Sequence, residues 1–321
     1  MTRALVTGGT GFVGANLARR LLADGHEVHL LVRRGYRDWR LADVRAALEF
    51  HEVALADADG LARAVAAIRP GWVFHLATHG AYSSQRDVQR IVDTNVVGTV
   101  NLVEACLRAG FEAFVNTGSS SEYGLKDHPP AETEWLEPNS HYAVTKAAAT
   151  LYCRYTAQSR GVCLPTLRLY SVYGPYEEPT RLLPTLILRG LDGHLPPLVD
   201  PDVARDFVYV DDVVEAYLLA ATCADQEPGA VYNVGTGTQT SLRQVVAVAR
   251  ATLGIQAEPA WGSMPNRRWD TTTWVADNRK IVRDLGWAPR YTFADGFQAF
   301  ADWFRAHPEL QHWYRDAQSP S

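Results

Sequence analysis

This chain has no block of like-signed charge, no apolar run of membrane-spanning length, and only four cysteines. Each absence removes a class of function. With a formal net charge of -5 and no basic tract, it presents no electrostatic footprint for nucleic acid or an acidic membrane surface. Without a run of ~20 apolar residues, no segment is long enough to be a transmembrane helix. Cys106, Cys153, Cys163 and Cys223 follow neither metal-ligand nor disulfide spacing and read as buried, reduced thiols, so no metal site is expected. The strand-like Ala4-Leu5-Val6 begins so close to Met1 that no cleaved leader fits before it, and a soluble cytoplasmic protein is expected.

What is present is a large apolar fraction, 47% of 321 residues, enough for a sizeable core. Short apolar strands alternate with helical patterns through the first half. The strands read as Ala4 to Thr7, Glu27 to Val32, Glu49 to Val53, Trp72 to Leu76, Ala113 to Thr117 and Pro165 to Leu169. Helices are expected over Asp93 to Ala109 and Tyr142 to Ser159, where apolar residues recur at helical spacing. After Gly174 the texture changes to proline, glycine, charge and aromatics, with a frayed end after Trp313. The pattern predicts an α/β fold: a Rossmann-type doubly wound parallel sheet with a smaller, mixed C-terminal lobe. Residues 1–170 would form the dinucleotide-binding domain, its sheet completed by parts of 203–235, and residues 171–321 mainly the substrate-binding lobe.

Directly after the first strand comes Thr7-Gly8-Gly9-Thr10-Gly11-Phe12-Val13-Gly14, leading into a helix. Gly8 would allow the tight turn, Gly11 the approach of a pyrophosphate to the helix N-terminus, and Gly14 close packing of helix on strand, with Thr10, Phe12 and Val13 in the same cradle. The second strand ends in Val32-Arg33-Arg34, where an NAD-preferring site places an acid for the ribose hydroxyls. Two guanidiniums suit a 2′-phosphate, so NADP(H) is expected over NAD(H). Tyr142 and Lys146 are spaced to share one helix face, where an ammonium can lower the phenol's pKa and hold a ribose hydroxyl.

With those motifs, His75-Leu76-Ala77, Asn95 with Gly98-Thr99, Gly118-Ser119-Ser120-Ser121-Glu122-Tyr123-Gly124, Tyr173-Gly174-Pro175, Arg205-Asp206-Phe207 and Leu285-Gly286-Trp287 occur in order. Over nearly its whole length the chain resembles the extended short-chain dehydrogenase/reductases that act on nucleotide sugars. The resemblance implies that Tyr142 is the proton donor or acceptor, Lys146 its partner and ribose ligand, and Ser119 the hydroxyl that orients the sugar oxygen. It also implies that Leu76, Ala77 and Asn95 line the cofactor, that Leu55 packs on adenine, and that Arg205 and Arg267 grip the sugar's diphosphate. His79, Tyr82, Ser120 and Ser171 would face the substrate, and related enzymes pair two helices into a homodimer. Leu102, Ala105, Leu151 and Tyr155 could serve that interface or merely the sheet.

Departures from the family pattern narrow the reaction. Sugar 4,6-dehydratases need a carboxylic pair right after the catalytic hydroxyl, and here Ser120 and Ser121 stand there, with Glu122 one residue out of register. Ala54 replaces an adenine-binding aspartate, and Asp57 is expected to cap a helix. Two enzymatic readings follow, an NADPH-dependent 4-ketoreductase of a nucleotide-linked 4-keto-6-deoxyhexose and a nucleotide-sugar 4-epimerase that retains its cofactor. Gly118 to Gly124 resembles GDP-4-keto-6-deoxymannose reductases; Arg181-Leu182-Leu183-Pro184 is closer to CDP-abequose synthases.

Overall fold

The protein is described here from a computed structural model over residues 1–82, 84–223, 226–266 and 270–318. Its first half alternates β1 (Arg3–Thr7), α1 (Phe12–Ala23), β2 (Glu27–Val32), β3 (Glu49–Glu52), α2 (Ala58–Ile68), β4 (Trp72–His75), α3 (Val88–Val92), α4 (Gly98–Ala109), β5 (Ala113–Ser119), α5 (His141–Arg160) and β6 (Thr166–Leu169). There follow β7 (Ser171–Tyr173), α6 (Leu182–Leu191), β8 (Ala204–Arg205), β9 (Phe207–Tyr209), α7 (Val210–Thr222), β10 (Val231–Val234), β11 (Thr240–Ser241), α8 (Leu242–Leu253), α9 (Arg279–Leu285), α10 (Phe293–Ala306) and α11 (Pro308–Gln318).

Seven parallel strands form one sheet in the order β10-β6-β5-β4-β1-β2-β3. Helices cover both faces, which is why the central strands are apolar on both sides. Ala4 and Val6 face one layer with Leu17 and Leu21 of α1 and Val213 and Tyr217 of α7. Leu5 faces the other, with Leu61 of α2, Leu102 and Ala105 of α4, and Ala157 of α5. The order reverses between β1 and β4, so their carboxyl ends open the crevice in which such sheets bind ligands.

A second core lies in the C-terminal part, where Ile187 of α6, Val245 of α8, and Phe297, Phe300 and Phe304 of α10 pack with Tyr314 of α11. Two small ribbons, β11 with β8 and β7 with β9, join it to the sheet. Contrary to the fraying expected after Trp313, the chain is helical up to Gln318. The Tyr314 hydroxyl donates to the Glu177 carbonyl at 2.6 Å, and Gln318 Nε2 donates to the Pro179 carbonyl at 2.6 Å, so burial and hydrogen bonds hold the last helix. Leu102 and Ala105 belong to the sheet core, whereas Leu151 and Tyr155 are 57% and 71% exposed on the outer face of α5.

Candidate active site

The glycine turn sits at the β1 end of the crevice. Gly8 has φ +69°, and a Cβ there would stand 2.6 Å from the Ala77 amide nitrogen, so neither conformation nor space admits a side chain. A Cβ on Gly14 would run into the Gly8 carbonyl oxygen. Gly11 is the N-cap of α1 and provides no side-chain cap, which leaves the Phe12 and Val13 N–H groups at a bare helix N-terminus for an anionic group. Arg33 and Arg34 are exposed just past β2 and have no ion-pair partner among the described residues. Glycines that admit backbone approach, free N–H donors and two unpaired cations fit a dinucleotide. Asp57 caps α2, accepting the Gly60 N–H at 2.9 Å, and Leu55 packs against Gly98.

A buried chain of hydrogen bonds braces the opposite wall. Ala77 N–H donates to Thr7 Oγ1 at 3.1 Å; Thr7 Oγ1 meets His75 Nδ1 at 2.7 Å, and His75 Nε2 meets Thr99 Oγ1 at 2.9 Å. Thr99 gives its own proton to the Asn95 carbonyl at 2.7 Å, so it accepts from His75, which carries its proton on Nε2. Burial, followed by the Lys146 charge, drives the imidazole down to about 3 and keeps it neutral. Asn95 lies in a single π-helical turn, Asp93–Val97, between α3 and α4. Its amide donates to the His79 carbonyl at 2.8 Å and Thr145 Oγ1 at 2.9 Å, and its oxygen accepts the His79 N–H at 2.8 Å. Asn95 thus pins the 78–79 loop, between Leu76-Ala77 and the sugar side, onto α5.

Ser119 ends β5, which runs two residues further than expected, and Tyr142 and Lys146 occupy the first turns of α5, capped by Ser140. Ser119 Oγ accepts the Ser121 N–H at 3.2 Å and lies close enough to the Tyr142 phenol to favour its ionised form. Burial pushes that phenol up to about 12; Ser119 works against the rise, Glu122 and Tyr82 add to it, and Arg181 opposes it. The direction is opposite to the one expected from the Lys146 spacing, because loss of solvation outweighs the favourable neighbours. Lys146 is buried, and its ammonium is lowered to about 8, with Glu122 and Cys153 holding it up.

The residues expected at the sugar are spread around this centre. Tyr82, 39% exposed, acts electrostatically on the Tyr142 phenol. Burial, then Arg90 and Arg33, lower the His79 imidazole. Ser120 is buried at the start of a 3-10 turn, Ser120–Tyr123, in which Glu122 is fully buried. Ser171 opens β7, its N–H on the Asp206 carbonyl at 3.0 Å. Arg205 pairs with Asp270 at 3.1 Å and lies over the Trp274 ring. Arg267 lies outside the described residues.

Three groups went unassigned in the sequence. Arg181, at the N-cap of α6, acts on both Tyr142 and Tyr82, and its Nε stands 3.7 Å from Glu177 Oε1. Burial raises Glu177 to about 8. Arg40 binds the Tyr176 carbonyl at 2.7 Å, Glu178 at 3.1 Å and the Thr10 carbonyl at 3.4 Å, lacing the Tyr173-Gly174-Pro175 turn to the glycine turn. No local motif marks the Arg40 contacts, because its partners lie up to 138 residues away.

The NAD dependent epimerase/dehydratase family matches residues 4–235. The UDP-glucose 4-epimerase of Mycolicibacterium smegmatis is 33% identical, over 94% of this chain and 98% of its own. The dTDP-glucose 4,6-dehydratase of Streptomyces griseus is 32% identical over 95% of each. Among solved structures, the Thermus thermophilus UDP-glucose 4-epimerase in complex with NAD superposes with a TM-score of 0.82 at 32% identity, covering 94% of this chain and 99% of that one.

Proposed function

The chain belongs to the NAD dependent epimerase/dehydratase family and is an enzyme of the extended short-chain dehydrogenase/reductase type, and from that premise we propose that it is an NADP(H)-dependent 4-ketoreductase of a nucleotide-linked 4-keto-6-deoxyhexose. The observation that carries this reading is the pair of exposed, unpaired guanidiniums of Arg33 and Arg34 where a 2′-phosphate would lie. The glycine turn and the Phe12 and Val13 N–H groups would hold the pyrophosphate, and Lys146 the nicotinamide ribose. Bound there, the dinucleotide supplies or accepts hydride at C4. Tyr142 gives the proton to the sugar oxygen, Ser119 orients that oxygen, and Lys146 favours the ionised phenol left behind. Arg205 and Arg267 would take the diphosphate. Dehydration is disfavoured, since Ser120 and Ser121 cannot move the protons a carboxylic pair would, and Glu122 is committed to the interior.

A second reading, a 4-epimerase with retained cofactor, is favoured by the 4-epimerase relatives, of which the Thermus thermophilus enzyme is solved with NAD. A homodimer is supported by the apolar residues Val144, Leu151 and Tyr155 left exposed along α5. To test the reaction, the protein is incubated with nucleotide-linked 4-keto-6-deoxyhexoses and NADPH or NADH and the products are identified by NMR. Stoichiometric NADPH consumption supports the reductase; sugar interconversion with cofactor retained through purification supports the epimerase. R33S/R34S raises the KM for NADPH by roughly tenfold or more and leaves NADH unaffected. An unchanged NADPH KM would remove the arginines from the cofactor site.

A further inference from the structure

We propose that Glu122 is a positioning residue of the reaction: its buried carboxylate bridges the end of β5, which presents Ser119, to α5, which presents Tyr142 and Lys146. Glu122 Oε1 accepts the Ser119 N–H at 2.8 Å and the Thr150 hydroxyl at 3.0 Å, while Oε2 accepts Arg168 Nε at 2.8 Å. Glu122 is 0% exposed and Arg168 3%. Thr150 lies one helical turn beyond Lys146, which lies one turn beyond Tyr142, so a single carboxylate anchors the same face of α5 that carries both groups.

The bond to the Ser119 N–H is half of a capping box whose other half turns Ser119 Oγ to the Glu122 N–H; Oγ also accepts the Ser121 N–H at 3.2 Å. With Oγ already accepting a hydrogen bond, the hydroxyl proton is left to be donated to the phenol or to a sugar oxygen. The arrangement also sets charge. Glu122 raises the proton affinity of both Lys146 and Tyr142. The other groups facing them are Cys153 on α5 and His75 on β4 toward Lys146, and Ser119, Tyr82, Arg181 and Tyr217 of α7 toward Tyr142, with Arg168 of β6 facing Glu122 itself. Removing the Glu122 charge therefore lowers both proton affinities, and the pH profile moves as a whole to lower pH. A carboxylate that merely filled the core would change the height of that profile and leave its position alone.

The inference rests on the oxidoreductase reading only for what the positioned groups do, and its test has an arm that needs no turnover. The chain has three lysines, Lys126, Lys146 and Lys280, so protein labelled with ¹³C-lysine gives three ε-carbon signals, of which K146R removes one. In E122Q, which keeps an acceptor oxygen for Ser119 and Thr150 but loses the charge, the Lys146 midpoint falls from about 8. The fall is roughly half a unit or more, and the alkaline limb of the rate profile falls with it. T150V, which cuts the tie to α5 and keeps the ion pair, lowers kcat by about threefold or more without moving the lysine midpoint. Should E122Q fail to fold around an unpaired Arg168, E122Q/R168M replaces both charges by neutral groups, and a smaller fall in the same direction is expected, because the more distant Arg168 charge offsets only part of the Glu122 effect. An unmoved Lys146 midpoint in a folded variant overturns the proposal, as does a T150V enzyme with native kcat. A native protein inactive on every nucleotide sugar, whose lysine midpoint still falls in E122Q, would count against the proposed reaction and in favour of the placement of Glu122.

Discussion

The crevice above the sheet and the lobe that faces it hold their polar groups by different means. On the sheet side, Thr7, His75, Thr99, Asn95 and Thr145 form a buried, neutral hydrogen-bonded chain, and the buried ion pair of Glu122 with Arg168 is satisfied by further donors. In the lobe, Arg205 is held by Asp270 and an aromatic face, and Arg181 by a loose pairing with Glu177. The first arrangement is stiff, because each buried group is satisfied and would be costly to unpair. The second consists of cations whose partners an incoming phosphate can replace. The contrast is what the proposed function asks for: one side of the cleft to fix the reacting atoms, the other to grip an anionic ligand.

The largest test of that contrast is Y142F. If the sheet side alone carries the proton, hydride transfer measured in single turnover falls by roughly 10² to 10⁴-fold while cofactor affinity holds. A loss under about tenfold would move the proton's source elsewhere, with the half-exposed Tyr82 the next candidate.

The neutral chain on the sheet side gives the protein a pH-dependent stability. His75 sits at about 3 when folded and near its ordinary 6.5 when unfolded. The unfolded chain therefore binds more protons as pH falls, so the stability present above about 6.5 drains away between that value and about 3, on the order of 2 kcal/mol by pH 5. Urea midpoints at pH 7 and pH 5 should differ less in H75N, although H75N is the weaker protein at pH 7. Equal pH sensitivity in both proteins would mean that the imidazole is not held neutral.

R205M sharpens the lobe side with a smaller effect. It raises the KM for the sugar nucleotide by about tenfold, as loss of one charge-assisted bond implies, and leaves the KM for the cofactor unchanged. A parallel rise for the cofactor would erase the division of labour between the two walls.

Much of the cleft is written locally. The glycine turn, Ser119, and the spacing of Tyr142 and Lys146 are short motifs whose geometry follows from strand, turn and helix periods, and they stand in the structure where those periods put them. Asp57 as a helix cap was equally legible, since an N-cap acts on an amide three residues on. The direction of the Tyr142 shift was not, because a four-residue spacing reports a neighbour but not how much solvent the fold removes. Nor was the final helix after Trp313, whose hydrogen bonds reach Glu177 and Pro179 across more than a hundred residues.

By itself, then, the order of residues determined the parallel sheet, the glycine turn and the positions of the candidate side chains Ser119, Tyr142 and Lys146, since each depends on contacts within a few residues or on apolar periodicity. Only the packed chain decided which protons sit where. The neutral His75, the raised phenol, the lowered ammonium and the Glu122 bridge between β5 and α5 all arise from burial and from partners distant in sequence, and desolvation is a property of the assembled interior.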